Sequence, residues 1–255
     1  MRFPSLTPIF SSLMKKKKSL NYDQVWENFS IQNPQSKYTW SLVKEFEGKP
    51  CLEIGCGNNP IIPLQNSHFL DASKAAVNQL KKACLKAYLG KVEKLPFKPN
   101  FFDLVVAWHV MEHVKNDQKG IAEISRVLKK GGFFLLSVPI WMSKFSVFDK
   151  IVGHERRYEP DELIKILKMN HFKINKYKAD KKLFAKLFIK LFASLVTKMH
   201  QNHQLIHLSN LPKPVTNSSM KISRFLENRA TSSWKKGIPK NLISADNLVL
   251  FLQKT

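Results

Sequence analysis

Cys51-Leu52-Glu53-Ile54 is a short apolar run, entered from Pro50, that stops at Gly55-Cys56-Gly57-Asn58-Asn59-Pro60. A strand ending in a glycine turn is where an α/β sheet lets backbone N–H groups approach a cofactor, because glycine lacks a Cβ and tolerates positive φ. Downstream, His68-Phe69-Leu70-Asp71 reads as a second short strand with Asp71 at its carboxyl end, and an apolar-periodic helix follows through Ala75, Ala76, Leu80, Ala83 and Cys84. An acid there is placed to accept hydrogen bonds from both hydroxyls of a ribose.

The pattern continues outward. Phe102-Asp103 opens a further strand, Leu104 to Trp108, whose unbroken apolar character suits burial on both faces of a parallel sheet, and it ends at His109. A helix is expected from Asp117, with Ile121, Ile124, Val127 and Leu128 on one face and Gly131-Gly132 as its C-cap. Residues 133–139 (FFLLSVP) follow as another buried strand, FKINKYKA (172–179) as the sixth, and residues 244–254 as the last. Alternating strands and helices imply right-handed crossovers and an open, mostly parallel sheet.

Composition limits the alternatives. The chain has 255 residues, with 42 Lys and Arg against 19 Asp and Glu, a net charge of +23 that draws phosphates, anionic lipid or polyanions to the surface. Three cysteines, Cys51, Cys56 and Cys84, fall in strand, loop and helix, so neither a disulfide framework nor a cysteine metal site is expected, and no metal site is assigned from the sequence. A reducing, cytoplasmic compartment fits this usage. No run of eighteen apolar residues occurs.

LEIGCGNNP, the acid of FLDAS, EKLPF, FFDLVVAWHVMEHV and ISRVLKKGGFFLLSVP, taken together and in this order over residues 50 to 140, resemble the class I S-adenosylmethionine-dependent methyltransferases of the type 11 group. IVGHERRYEPDELIKILKMNHFKI is similar to a segment of a subset of these enzymes, and NLVLFLQK to the family's last, antiparallel strand. The resemblance implies a Rossmann-like, doubly wound, seven-stranded and mostly parallel sheet; where the family needs only a short link before its last strand, residues 181–243 intervene here and read as a helical insertion. The expected organisation is a tail and helical cover at 1–49, a core at 50–180, a basic insertion at 181–243, and the closing strand at 244–255.

The resemblance also implies roles. Glu53, Gly55, Cys56 and Gly57 match the first cofactor motif, Asp71 the ribose acid, Val92 and Glu93 the adenine-edge contacts, and Trp108 with His109 the methionine end. S-adenosylmethionine is the implied cofactor. Two features depart from the pattern. Asn59 replaces the usual third glycine in a segment shortened around Pro60 and Pro63, so the first helix is expected to shrink to a turn, and Lys91 stands where relatives put an acid.

Methyl transfer from a sulfonium is an in-line displacement, so holding donor and acceptor in line is the main requirement. A base helps when the acceptor loses a proton, and histidine has the appropriate ordinary pKa. His109 and His154 are the candidate catalytic residues. His109 reads equally as a cofactor contact or as packing, and His113 as capping, packing or a further base. His154, Arg157 and Tyr158 are the candidate acceptor-binding set, against the alternative that Arg156 or Arg157 pairs with Glu155 or Glu159.

Residues 1–22 read as a solvated tail, a surface-adhering basic tail or a transit peptide. Trp26, Phe29, Tyr38, Trp40, Leu42, Val43 and Phe46 are expected to pack as helices covering part of the site. Residues 163–226 carry thirteen basic residues and one acid, Asp180. Within them Leu183, Phe184, Leu187, Phe188, Leu191 and Phe192 form a helical stripe flanked by Lys182, Lys186 and Lys190. Three readings stay open: a helix lying on an anionic membrane surface, a lid with snorkelling lysines, and, less favoured, a nucleic-acid face. A small-molecule or lipid-linked acceptor is the expected substrate, at or near a membrane. RNA methylation, or a non-catalytic scaffold, is the alternative.

Overall fold

A computed structural model describes residues 31, 33–36, 39–180, 234–240 and 242–255. The chain divides into two compact units, and all of these residues belong to the unit formed by residues 21–181 and 232–255. The basic tail, Trp26, Phe29, Tyr38, the apolar–lysine stripe from Lys182 and the linker at 212–221 lie outside the described residues.

Eight strands form one sheet: β1 (Cys51–Ile54), β2 (Ser67–Asp71), β3 (Lys86–Leu89), β4 (Phe102–Trp108), β5 (Leu128–Pro139), β6 (Phe172–Asp180), β7 (Lys235–Lys236) and β8 (Asn247–Lys254). Their order is β3-β2-β1-β4-β5-β8-β6-β7. β3, β2, β1, β4 and β5 run parallel, and β8 enters antiparallel between β5 and β6. The sheet is therefore α/β and Rossmann-like, with one strand more than the seven expected. The addition is β7, two exposed lysines that pair with Lys176 and Tyr177 at the sheet's edge.

The two-residue period of the strands divides the core between the faces. Leu52, Ile54, Val105, Ala107, Leu136 and Leu250 point to one side, where α3 (Asp117–Val127) and α5 (Pro160–Met169) cover them with Ile121, Ile124, Leu163 and Leu167. Cys51, Phe69, Leu104, Val106, Leu135 and Phe251 point to the other, against Leu42 and Val43 of α1 (Trp40–Val43) and Val77 and Leu80 of α2 (Lys74–Lys82). Ser73 caps α2, its hydroxyl accepting from the Ala76 N–H at 3.2 Å.

Three local expectations are settled by geometry. The chain from Gly55 to Asn66 runs between β1 and β2 without a helix, as Pro60 and Pro63 foretold. α3 ends at Val127 and Leu128 passes straight into β5, so Gly131-Gly132 is not its C-cap. Those glycines instead serve a register shift opposite Phe102 and Leu104: Gly131 has φ +78°, and a Cβ on Gly132 would meet the Lys129 carbonyl at 2.9 Å. Phe46 packs edge-on to Phe133, beside the amino-terminal end of β4, so this part of the N-terminal segment braces the end of the sheet remote from Gly55.

Candidate active site

The carboxyl ends of β1, β2 and β4 meet at one edge, and the chain there is folded by its acids. Glu53, buried at the end of β1, accepts from the N–H groups of Ile61 and Ile62 through Oε2 at 2.9 and 3.2 Å, which folds the Gly55–Asn59 turn back over the strand. Gly55 and Gly57 both have positive φ, +66° and +57°. The Gly55 N–H donates to Leu70 O at 2.7 Å, and the Gly57 N–H donates to Asp71 Oδ2 at 3.0 Å. Asp71 Oδ1 accepts from the Ser73 N–H at 2.8 Å. Both carboxylate oxygens are thus fixed by backbone donors. Asn58, buried in the same turn, leaves Nδ2 without a partner. An oriented carboxylate beside an orphaned amide donor fits a bound nucleoside with a polar tail.

The expected adenine side is less open. Val92 is buried in the core, where a Cβ on Gly120 would touch its Cγ1 at 3.1 Å, so only its backbone is left to face a ligand. Glu93 is half-buried in the turn after β3.

At the end of β4, Trp108 is half-buried and packs on the sheet face that carries Phe251. His109 follows with φ +54°, a left-handed conformation that costs a non-glycine residue about 1–3 kcal/mol and concentrates at functional sites. Its N–H donates to Ser137 O at 3.0 Å. Nδ1 lies 3.1 Å from Glu112 Oε1 and Nε2 3.3 Å from Ser137 Oγ. A carboxylate only accepts, so Nδ1 carries a proton.

A 3₁₀ turn, Met111–His113, then lies against residues 153–158, and Gly153, Glu155 and Tyr158 of the GHERRY segment bond to it. His113 Nδ1 lies 3.1 Å from Gly153 O, and the Glu155 N–H donates to Glu112 O at 2.8 Å. Tyr158 donates its hydroxyl to Met111 O at 3.0 Å, and Arg156 Nη2 donates to Lys115 O at 2.8 Å while Nη1 pairs with Asp117. His154 Nδ1 lies 2.8 Å from Asp149 Oδ1. Arg157 lays its fork on the same carboxylate, Nε to Oδ1 at 2.9 Å and Nη2 to Oδ2 at 3.0 Å. Asp149 in turn closes the capping box of α4 (Val147–Ile151), accepting from the Ser146 N–H and hydroxyl.

Electrostatics follow the same partners. Burial pushes the Asp149 carboxyl up, but Arg157, Ser146 and His154 outweigh it and hold the pKa at about 2. Burial also opposes ionisation of Glu112, yet the His109 hydrogen bond and charge bring its pKa below the ordinary carboxylate value. Desolvation lowers His113, with Glu112 acting in the opposite sense. Burial and the nearby Asp117 charge raise Tyr158.

The structure thus brings Glu53, Gly55, Cys56, Gly57 and Asp71 into one loop cluster, and joins His109 to His154 through Glu112, whose Oε1 is 3.9 Å from His154 Nε2. Arg157 and Tyr158 are held by Asp149 and Met111, and the arginine partners are Asp149 and Asp117 in place of Glu155 and Glu159. Sequence reading missed Glu112, Asp149 and Asp117. The Ser146-x-x-Asp149 spacing was visible as a capping box, but nothing in it pointed to His154 or Arg157.

Residues 52–136 match the family described as "Methyltransferase domain". A tRNA (carboxymethyluridine(34)-5-O)-methyltransferase of Arabidopsis thaliana is 27% identical over 147 residues, 52% of this chain and 36% of that protein. The demethylmenaquinone methyltransferase of Leptospira interrogans is 31% identical over 128 residues, 44% of this chain and 49% of that one. The chain therefore spans under half the length of either relative. Among solved structures, a chain from the complex between the Haloferax volcanii Trm112 methyltransferase activator and a methyltransferase superposes with TM-score 0.54 at 12% identity, covering 98% of this chain and 97% of that one, a likeness of fold. With the strand order, the glycine turn and the Asp71 carboxylate in place, residues 52–136 carry a methyltransferase domain similar to class I enzymes of the type 11 group, whose methyl donor is S-adenosylmethionine.

Proposed function

We propose that this protein transfers a methyl group from S-adenosylmethionine to a small-molecule or lipid-linked acceptor. The observation that carries the reading is the Gly57 N–H to Asp71 carboxylate bond at 3.0 Å, which fixes an acid at the joint end of β1 and β2, where this fold receives a ribose. The bound donor supplies an electrophilic methyl on a sulfonium. The chain's part is to hold that donor against the acceptor, work that contributes about 7–11 kcal/mol when the alignment is good. Asp71 orients the ribose, the Gly55–Asn58 turn holds the amino-acid end, and the acceptor enters beside His109, whose side chain is 30% exposed. His154, oriented by Asp149, offers Nε2 to an acceptor proton. Arg157 positions this group through Asp149, and Tyr158 ties the same segment to the Met111 carbonyl.

Asp71→Ala should abolish saturable binding of labelled S-adenosylmethionine while the protein stays folded; unchanged affinity by calorimetry overturns the reading. Incubating cell fractions with methyl-labelled donor and seeing whether the lipid, small-molecule or RNA fraction takes label identifies the acceptor. The net charge of +23 favours the RNA fraction as the competing outcome. Label in RNA, with steep salt dependence, would replace the small-molecule acceptor. Association with an anionic membrane rests on the stripe from Lys182, and equal, weak liposome binding by the wild type and a Phe184, Phe188, Phe192→Ser variant removes it.

A further inference from the structure

We propose that Glu112, His113 and His154 form a binding site for one divalent transition-metal ion, such as Zn²⁺. One ligand-type atom from each lies within 4.8 Å of the others. A four-coordinate ion with bonds of about 2.0–2.2 Å sets its ligands about 3.3 Å apart, so small side-chain rotations close the set.

The second observation is the way each group is prepared. Gly153 O and Asp149 Oδ1 only accept, so the protons of His113 and His154 are drawn to Nδ1 and the ring lone pair is left on Nε2 in both. Backbone carbonyls and carboxylates behind the second ring nitrogen are what metal-bound histidines characteristically have, since they fix tautomer and ring orientation. Glu112 is fully buried, its Oε1 is held by His109, and its Oε2 has no hydrogen-bond partner on any other residue. A buried carboxylate oxygen without a partner is costly unless something cationic answers it. Arg157 is spent on Asp149.

Two imidazoles and one carboxylate suit zinc or ferrous-type ions and leave at least one coordination position open. With Nε2 of His154 on the ion, that ring no longer takes a proton; the ion itself lowers the pKa of an oxygen bound at the open position. An ion on Nε2 replaces the base role read for His154 above, and its test is independent of that reading, because ion binding is measured with neither donor nor acceptor present.

The test uses tag-free full-length protein, stripped with chelator and titrated with Zn²⁺ by calorimetry and with Co²⁺ by visible absorption. One ion per chain is expected. Glu112→Gln and His154→Ala should lose that stoichiometric uptake, and Asp149→Asn, which removes only the orienting carboxylate charge, should weaken it about 10- to 100-fold. His154→Cys should keep the ion and add a thiolate-to-cobalt charge-transfer band, a signature that misfolding does not produce. A variant with His200, His203 and His207 all changed to Ala should bind like the wild type. The proposal is overturned if the wild type takes up no stoichiometric ion, if the His200/His203/His207 variant loses it, or if His154→Cys binds cobalt without the new band.

Discussion

Val110 occupies the space that a side chain on Gly55 would need: a Cβ built there would come within 2.6 Å of Val110 Cγ2. The residue after His109 is thereby seated on the glycine turn, and the Gly55–Asn59 loop and the histidine turn become neighbours through one methyl group.

Gly55→Ala should therefore destabilise the fold by about 1–3 kcal/mol, from overpacking and from forcing alanine to φ +66°. Val110→Ala in the same chain relieves the collision but not the backbone strain, so urea unfolding should show partial recovery. Full recovery would mean the turn relaxes to negative φ, and no recovery would mean the contact is unimportant.

Arg157 is expected to act on stability before it acts on substrate. Removing it leaves the buried Asp149 carboxylate without its two-pronged partner, a loss of about 3–5 kcal/mol in comparable buried pairs. Arg157→Ala should lower the thermal midpoint markedly, with Arg157→Lys intermediate because a point charge does not reproduce the fork. A variant with wild-type stability but poor turnover would return Arg157 to the acceptor.

His68 supplies a pH dependence. It stacks on Tyr88 and lies edge-on to Phe97, Phe101 and Phe102, and burial first, then the Lys86 charge, lower its pKa. Between that lowered value and the ordinary one of about 6.5, only the unfolded chain takes the proton. Stability should thus fall as pH drops below about 6.5, and His68→Phe should flatten this part of the profile in urea titrations from pH 7.5 to 5 (about that range brackets the change). An unchanged slope would exonerate His68.

The thiols should separate cleanly. Cys84 is exposed, whereas Cys51 is buried and desolvation pushes its thiol up to about 12. Since the thiolate is the nucleophile, iodoacetamide should label Cys84 in the native protein and reach Cys51 only with denaturant, as read by mass spectrometry. Equal labelling of the two would show the β1 face opening in the native state.

What the sequence disclosed, and what it withheld, follows the range of each interaction. β1, β2, β4, β5 and the Asp71 position could be read directly, because apolar runs and glycine punctuation are local signals. Pro60 and Pro63 announced the missing first helix. Gly131-Gly132 misled because a pair of glycines marks a helix end and a strand bulge equally well, and only the pairing of β5 with β4 decides between them. The Glu112–His154–Asp149–Arg157 group was hidden for a different reason: the 3₁₀ turn and the GHERRY segment meet only after β5 and α4 have been laid down between them, and no spacing rule links residue 112 to residue 154.

The position of β8 bears on how the molecule is made. During synthesis β1 to β5 can assemble as soon as they emerge, but the border of β6 that takes β8 stays unsatisfied until residues 247–254 arrive to fill the slot between it and β5. A nascent chain paused anywhere in the intervening basic stretch displays two raw strand margins to its surroundings, the condition in which strands recruit strangers, and chaperone capture should peak in that interval.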